Sequence, residues 1–408
     1  MQEPIGMNYF VYVVCGAKEY IDQLHFSLLF LRHFSKYPIY VATDTMRNEI
    51  PIEHDNLIDV KTPQELNNHQ AHLYIETSLH KHLHLYDGDK ACYIDSDVIA
   101  LNTEINDVFS HFQAPVTFAG DHCTIDLFSP KITHCGCTEA YKQKAELYAE
   151  IQKILPCINP DDKETKADVL KHSELFAGLR NHPVKYFFKA LTYCHQRYIS
   201  RKPQFSFGGF SFVRKNAVWY NKRGNIISFD FRNYNRLIHR KLGVRFNGKY
   251  WVDDKNNIIK PELPVCSHLR EYLQKTYNIH IPENFRHWNG GVFLFGSVSQ
   301  SFMDLWHEIT MKESFAGNIM YYDDQSSLIA TSFITGSQGM GYLPDQFNFI
   351  ADFNNPKICW NVEKGYSRDG FATAFKPAFI HVYHNWGDET WNIWQSVLHL
   401  GRSEGILS

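Results

Sequence analysis

Asn8 to Val14 (Asn-Tyr-Phe-Val-Tyr-Val-Val) is an almost unbroken apolar run that stops at Cys15-Gly16. Glu19 to Phe34 follows, with Ile21, Leu24, Leu28 and Leu31 at helical spacing on one face. Pro38 to Ala42 is a second short apolar run, ending at Thr43-Asp44. Strand, amphipathic helix and strand within about 40 residues leave few folds open. They read as two parallel strands joined by a right-handed crossover, the start of a parallel sheet with helices on its faces. Such sheets bind ligands beyond the carboxyl ends of their strands. Cys15-Gly16-Ala17 is too little to identify a dinucleotide site, and no Walker-type loop is present.

The run Ala91 to Leu101 encloses Asp95-Ser96-Asp97. Bounded by Gly88-Asp89-Lys90 and Asn102-Thr103, it reads as a buried strand with both carboxylates at or just past its carboxyl end. In an extended chain the two side chains diverge, and a local bend brings both to one hard cation. A cation held this way can bridge a diphosphate and stabilise it as a leaving group. A polar strand end or cap is the bland alternative, and the rest of the chain has to decide.

Residues 70–87 carry another helical pattern with a dense group of histidines, His69, His72, His80, His82 and His84. His80 and His84 stand one turn apart, but no third ligand accompanies them, so solvent-facing histidines are expected. Lys81 lies one helix ahead of Asp95, within reach of a nucleotide or sugar hydroxyl. Pro115 to Gly120 reads as a further strand ending at Asp121, a candidate for binding a sugar hydroxyl. From there the rhythm changes. Residues 122–285 have helical stretches near 139–155 and 164–198, then Phe205-Ser-Phe-Gly-Gly-Phe-Ser-Phe212, then a basic, Asn-rich region. They read as a large insertion beside the active site that shapes acceptor binding. His134-Cys135-Gly136-Cys137, with His122-Cys123 upstream, fits no common Cys-x-x-Cys frame, and zinc is not the expectation.

The sheet pattern resumes at Trp288 to Phe295, followed by a helix over 299–313 and a second opening after Tyr321-Tyr322-Asp323 at Asp324-Gln325. Gly341 to Phe349 comes next, and Ala378 to Tyr383 is a last strand running into His384-Asn385-Trp386-Gly387. The division expected is 1–121, 122–285 and 286–408.

Composition removes other classes. With 408 residues, 44% hydrophobic and 21% charged, the chain can bury a sizeable core. Its net charge of −3 provides no general attraction to nucleic acid or anionic membrane. Nine scattered cysteines do not form a complete disulfide set. No signal-peptide pattern, membrane-length apolar window or Asn-x-Ser/Thr sequon is found, which favours a reducing, cytoplasmic setting.

Four signals stand in fixed order: Asp95-Ser-Asp97, Asn289-Gly290-Gly291-Val292, Asp324-Gln325, and His381 on the last strand. In this order the chain resembles the metal-dependent nucleotide-sugar glycosyltransferases of GT-A fold. The likeness is greatest to the family of glycogenin, galactinol synthase and bacterial lipopolysaccharide glucosyl- and galactosyltransferases. The resemblance covers roughly residues 8–121 and 286–390. It implies an α/β, Rossmann-like mixed sheet flanked by helices, with the insertion as a subdomain. It also implies Mn²⁺ or Mg²⁺ on Asp95, Asp97 and His381. The family's Asn-Ala-Gly-Val segment is matched by Asn289 to Val292, and its Leu-Pro…Tyr-Asn segment by Leu343-Pro344…Phe347-Asn348. The nucleobase of a UDP-sugar donor would then stack near Val13, Cys15, Gly16 and Tyr20, with Asp44 helping. Asp324 or Gln325 would stabilise charge at the anomeric centre, and Trp386 would lie in a loop closing over the diphosphate. The usual His-x-x-Gly-x-x-Lys-Pro-Trp is absent: His381 is followed by Val-Tyr-His-Asn-Trp-Gly with no lysine, so His384 competes with His381 as the ligand. Two other classes are weighed. One is a non-catalytic sugar-nucleotide or carbohydrate-binding module. The other is a metal-dependent diphosphate hydrolase, which wants a denser set of ligands around paired metals.

Overall fold

A computed structural model describes residues 6–133, 135–158, 163–260, 265–316, 324–352, 355 and 357–407; the side chains of 314–316 are not described. His134 and Tyr321-Tyr322-Asp323 therefore lie outside the described residues. The chain divides into two compact units, residues 1–137 with 265–408, and residues 138–264. Residues 122–137 and 265–285 thus belong with the sheet.

In the first unit the strands β1 (Asn8–Val13), β2 (Ile39–Thr43), β3 (Leu57–Asp59), β4 (Lys90–Ile94), β6 (Val116–Thr124) and β7 (Arg286–Gly296) form one mixed sheet, ordered β3-β2-β1-β4-β7-β6. The first four are parallel, and β7 is antiparallel to both neighbours. The near-continuous apolar runs follow from burial on both faces, where alternate residues serve different layers. On one face Phe10, Tyr12, Cys92, Ile94, Val292 and Leu294 pack with Ile21, Leu24, Leu28 and Leu31 of helix α1 (Lys18–Phe34). On the other, Val11, Val13, Tyr93, Phe293 and Phe295 meet helix α2 (Asn68–Thr77) and helix α5 (Gln300–Ala316).

Two features of this sheet place a site. The chain leaves β1 for β2 on one side, and β4 pairs on the other. The strand order therefore reverses between β1 and β4, and a crevice opens beyond their carboxyl ends. The apolar run Ala91 to Leu101 is also two strands, where the sequence pattern suggests one. β4 stops at Ile94, Val98 N donates to the Asp95 carbonyl at 3.0 Å, and the chain turns. β5 (Val98–Ala100) then leaves the main sheet and pairs antiparallel with β9 (Phe379–His381), which is parallel to β8 (Phe349–Ile350). The turn falls on Asp95-Ser96-Asp97.

Helices α3 (Ile125–Ile132) and α4 (His268–Tyr277) pack through Ile125, Ile132, Leu269 and Leu273. Helix α6 (Asp324–Ile334) backs β7, and α7 (Asn392–Ser403) closes the first apolar layer with Ile393, Trp394 and Val397. The second unit has its own core. Strands at 204–207, 210–213, 218–220 and 226–229 form an antiparallel sheet whose Phe205, Phe207, Phe210, Phe212 and Trp219 pack against Leu175, Phe176 and Leu179 of the helix Lys163–Asn181.

Candidate functional site

β4 delivers Asp95 and Asp97 to the crevice, and β9 delivers His381 beside them. One ligand atom from each lies within 4.8 Å of the other two. His381 Nε2 is 3.2 Å from Asp97 Oδ1, a buried oxygen. The tautomer is set from the other side of the ring. His381 Nδ1 lies 3.2 Å from Asn348 Oδ1, an acceptor, so Nδ1 carries a proton and Nε2 is the ring nitrogen turned to Asp97. Tyr93 donates its hydroxyl to Asp95 Oδ1 at 2.5 Å. His384 stands elsewhere, its ring 3.9 Å from that of Tyr383.

Electrostatics favour a cation here. Burial, and then the charge of Asp97, push the Asp95 carboxyl well above the usual carboxylate range. For His381, burial alone would lower the imidazole, but Asp97 and Asp95 together raise it. Two half-buried carboxylates and an imidazole that converge on one point are a donor set suited to Mn²⁺ or Mg²⁺, which Asp95, Asp97 and His381 would hold.

The two glycines of Asn289-Gly290-Gly291 make the approach possible. β7 bulges against β6 between Asn289 and Phe293, and Asp95 N donates to the Gly291 carbonyl at 2.9 Å. A Cβ on Gly291 would sit 2.5 Å from His381 Cε1, and one on Gly290 would sit 2.5 Å from Asp324 Oδ2. Both positions exclude a side chain by close approach of the backbone to site residues.

A chain of hydrogen bonds joins four sequence-distant segments. Asn289 Nδ2 donates to Asp121 Oδ2 at 3.0 Å, Asn348 Nδ2 donates to Asn289 Oδ1 at 2.8 Å, and Asn348 Oδ1 faces His381. Burial would raise the Asp121 carboxyl, but the hydrogen bond from His122 and the charges of His287 and His122 hold it well below the usual range. Asp121 is therefore an anion anchoring this chain.

A cavity of about 340 Å³ opens beside the cluster, lined by Val14, Cys15, Tyr20 and Gln23 from β1 and α1, by Asn68, His72 and Glu76 from α2, and by Asp95, Ser96, Asp97 and Asp324. Its described lining carries Glu76, Asp95, Asp97 and Asp324 and neither lysine nor arginine. A bare diphosphate would be repelled from this wall, so a diphosphate ligand needs a cation between them.

Other expected residues are placed differently. Val13 points into the apolar layer against α2, and the next residue, Val14, faces the cavity. Gly16, at φ +102°, does not line the cavity; it lets the chain pass close to the Asn68 side chain. Asp44 is buried and accepts from Thr62 N at 3.0 Å and from Thr62 Oγ1 at 2.5 Å, with Arg47 beside it, a loop-fixing role. Lys81 pairs with Asp304 at 2.8 Å, and His80 bonds the same carboxylate at 2.9 Å, both away from the cavity lining. Trp386 packs on Phe26 and Trp394. Gln325 is buried; its Oε1 accepts from Gly290 N at 3.2 Å and its amide donates to the Trp288 carbonyl. Gln325 holds the glycine segment and does not face the cavity. The wall from α2 was missed by sequence reasoning. Its trace is Asn67 followed by Gln70, a capping box that starts a helix at Asn68.

No protein-family model and no curated protein matches the sequence. Among solved structures, a bifunctional glycosyltransferase, WbbM, superposes over 98% of this chain at 11% identity with a TM-score of 0.41, and this chain spans 50% of that protein. The galactosyltransferase LgtC, in complex with donor and acceptor sugar analogs, matches over 98% of this chain and 96% of its own at 10% identity, TM-score 0.39. Mouse xyloside xylosyltransferase 1 matches over 93% and 99% at 8% identity, TM-score 0.38. No residue role follows from likenesses this distant.

Proposed function

We propose that this chain is a glycosyltransferase that takes a sugar from a nucleoside-diphosphate donor, a UDP-sugar by the resemblance of its motifs, and passes it to an acceptor hydroxyl. The observation that carries this reading is the convergence of Asp95, Asp97 and His381 on the wall of an acidic cavity at the point where the strand order reverses. Asp95, Asp97 and His381 would hold Mn²⁺ or Mg²⁺, which when bound offsets the carboxylates and stabilises the departing diphosphate.

The protein's own groups have separate parts. Val14, Cys15 and Tyr20 provide a surface of backbone and ring for the nucleobase, Tyr20 standing 53% exposed at the cavity mouth. Asp324, beside Gly290 and on the cavity wall, faces the space left for the sugar and would stabilise positive charge at its anomeric carbon. Asp121, Asn289 and Asn348 form the hydrogen-bonded chain that orients His381. Retention of configuration is part of the proposal through the resemblance alone. A diphosphate hydrolase reading gains nothing, since among the described residues the cavity lining holds no second group of three metal ligands. The test is release of UDP from a panel of UDP-sugars with and without acceptor. Asp95→Asn and Asp97→Asn should abolish release while leaving the melting temperature nearly unchanged. Full activity in a chelator, or in either variant, would overturn the metal-dependent reading.

A further inference from the structure

A second convergence of ligands lies off the cavity, at the point where residues 138–264 are inserted. Helix α3 ends at Ile132, and Cys135-Gly136-Cys137 makes a turn in which Gly136 takes φ +71°, a left-handed conformation that costs glycine nothing. Cys266-Ser267-His268 stands where the chain returns, immediately at the start of α4. The packing of α3 on α4 brings the two tripeptides together. Cys266 N donates to the Asp126 carbonyl at 2.9 Å, and Leu269 N donates to Ser129 Oγ at 2.9 Å.

Cys135 Sγ lies 3.7 Å from Cys266 Sγ, Cys137 Sγ lies 3.9 Å from His268 Nδ1, and the four ligand atoms all fall within 4.8 Å of one another. Bonds of about 2.3 Å to sulfur and about 2.0 Å to nitrogen, at tetrahedral angles, place sulfurs about 3.8 Å apart and sulfur and nitrogen about 3.5 Å apart. All nine cysteines are free thiols, and the pair at 3.7 Å is spaced as the edge of a tetrahedron. Ser129 Oγ accepts from Leu269 N, which leaves its proton to donate to Cys266 Sγ, 3.1 Å away. A hydroxyl and a helix amino terminus both favour a thiolate at that position.

We propose that Cys135, Cys137, Cys266 and His268 hold one structural Zn²⁺ that ties the point where the chain leaves the first unit to the point where it returns. Four protein ligands fill a tetrahedral ion and leave no open position for substrate, so the site is structural. Its soft thiolates select zinc, whereas the oxygen-rich donors of Asp95 and Asp97 suit a harder ion. Closing the ends of so long an insertion removes loop entropy that α3 and α4 would otherwise have to overcome by packing alone.

Metal analysis of protein purified without chelator tests this. The wild type should contain about one zinc per chain, and so should the Asp95→Asn/Asp97→Asn double variant. Cys135→Ser and Cys266→Ser should hold below about a tenth of that. Cobalt in place of zinc should show thiolate charge-transfer and tetrahedral visible bands in the wild type, lost in the same variants. Should serine variants not fold, His268→Cys keeps four ligands and should retain zinc with an altered cobalt spectrum. Zinc retained in a Cys135→Ser/Cys266→Ser double variant would overturn the proposal. So would reduced wild-type protein that takes up neither zinc nor cobalt, or a Cys135–Cys266 disulfide in peptides mapped without reduction.

Discussion

Gly291 is the residue on which the candidate metal centre turns. Its missing side chain lets His381 Cε1 come within 2.5 Å of where a Cβ would stand. Gly291→Ala should displace the imidazole and weaken Mn²⁺ binding about tenfold or more, with the fold retained; calorimetric titration with Mn²⁺ measures it. His381→Ala should lose affinity on the same order, whereas His384→Ala should leave it unchanged, because only the first ring faces Asp97. The opposite ranking would move the ligand to His384. These positions were legible because Asp95-Ser-Asp97 and His381 sit at the ends of apolar strands and Asn289-Gly-Gly interrupts one, where an unexpected polar or small residue stands out. Val13 was misplaced by one residue for a simple reason: in a strand buried on both faces, apolar character no longer tells which side chain points to the ligand.

At the scale of elements, the break at Asp95-Ser96-Asp97 explains why two carboxylates one residue apart converge. Hydrophobic pattern shows that Ala91 to Leu101 is buried but not that β5 changes sheets, since both halves remain apolar in either pairing. The same limit hid the cysteine cluster. Cys135-x-Cys137 and Cys266-x-His268 are each half of a site, and the intervening 138–264 unit separates them too far for spacing rules to join them. Aromatic density in the insertion suggests a binding surface, yet Phe207 is buried with Phe205, Phe212 and Trp219. Phe207→Ala should therefore cost about 3–5 kcal/mol in the stability of the second unit. Hydrogen exchange over 204–229 should rise while Mn²⁺ affinity stays as in the wild type; unchanged protection would contradict this placement.

For the molecule as a whole, one buried and two half-buried histidines set a limit on acid stability. Burial lowers His72, His172 and His307 to about 4 from 6.5. Each is neutral in the native state and binds a proton more readily when unfolded. Stability is thus fully present above pH 6.5 and falls as the pH drops from 6.5 towards 4. His172, packed against Phe176, Phe210 and Trp219 with an unpartnered Nε2, should lose its share of this slope in His172→Leu, followed by melting temperature against pH. Cation and nucleotide should be linked in the same way, because the acidic cavity admits a diphosphate only with an ion between them. Calorimetric titration of UDP into the protein, with and without Mn²⁺, tests that most directly. UDP should bind with Mn²⁺ present, fail to bind in chelator, and fail to bind in Asp97→Asn under either condition. Equal UDP affinity with and without the cation, or undiminished binding in Asp97→Asn, would contradict a metal-bridged diphosphate site at Asp95, Asp97 and His381.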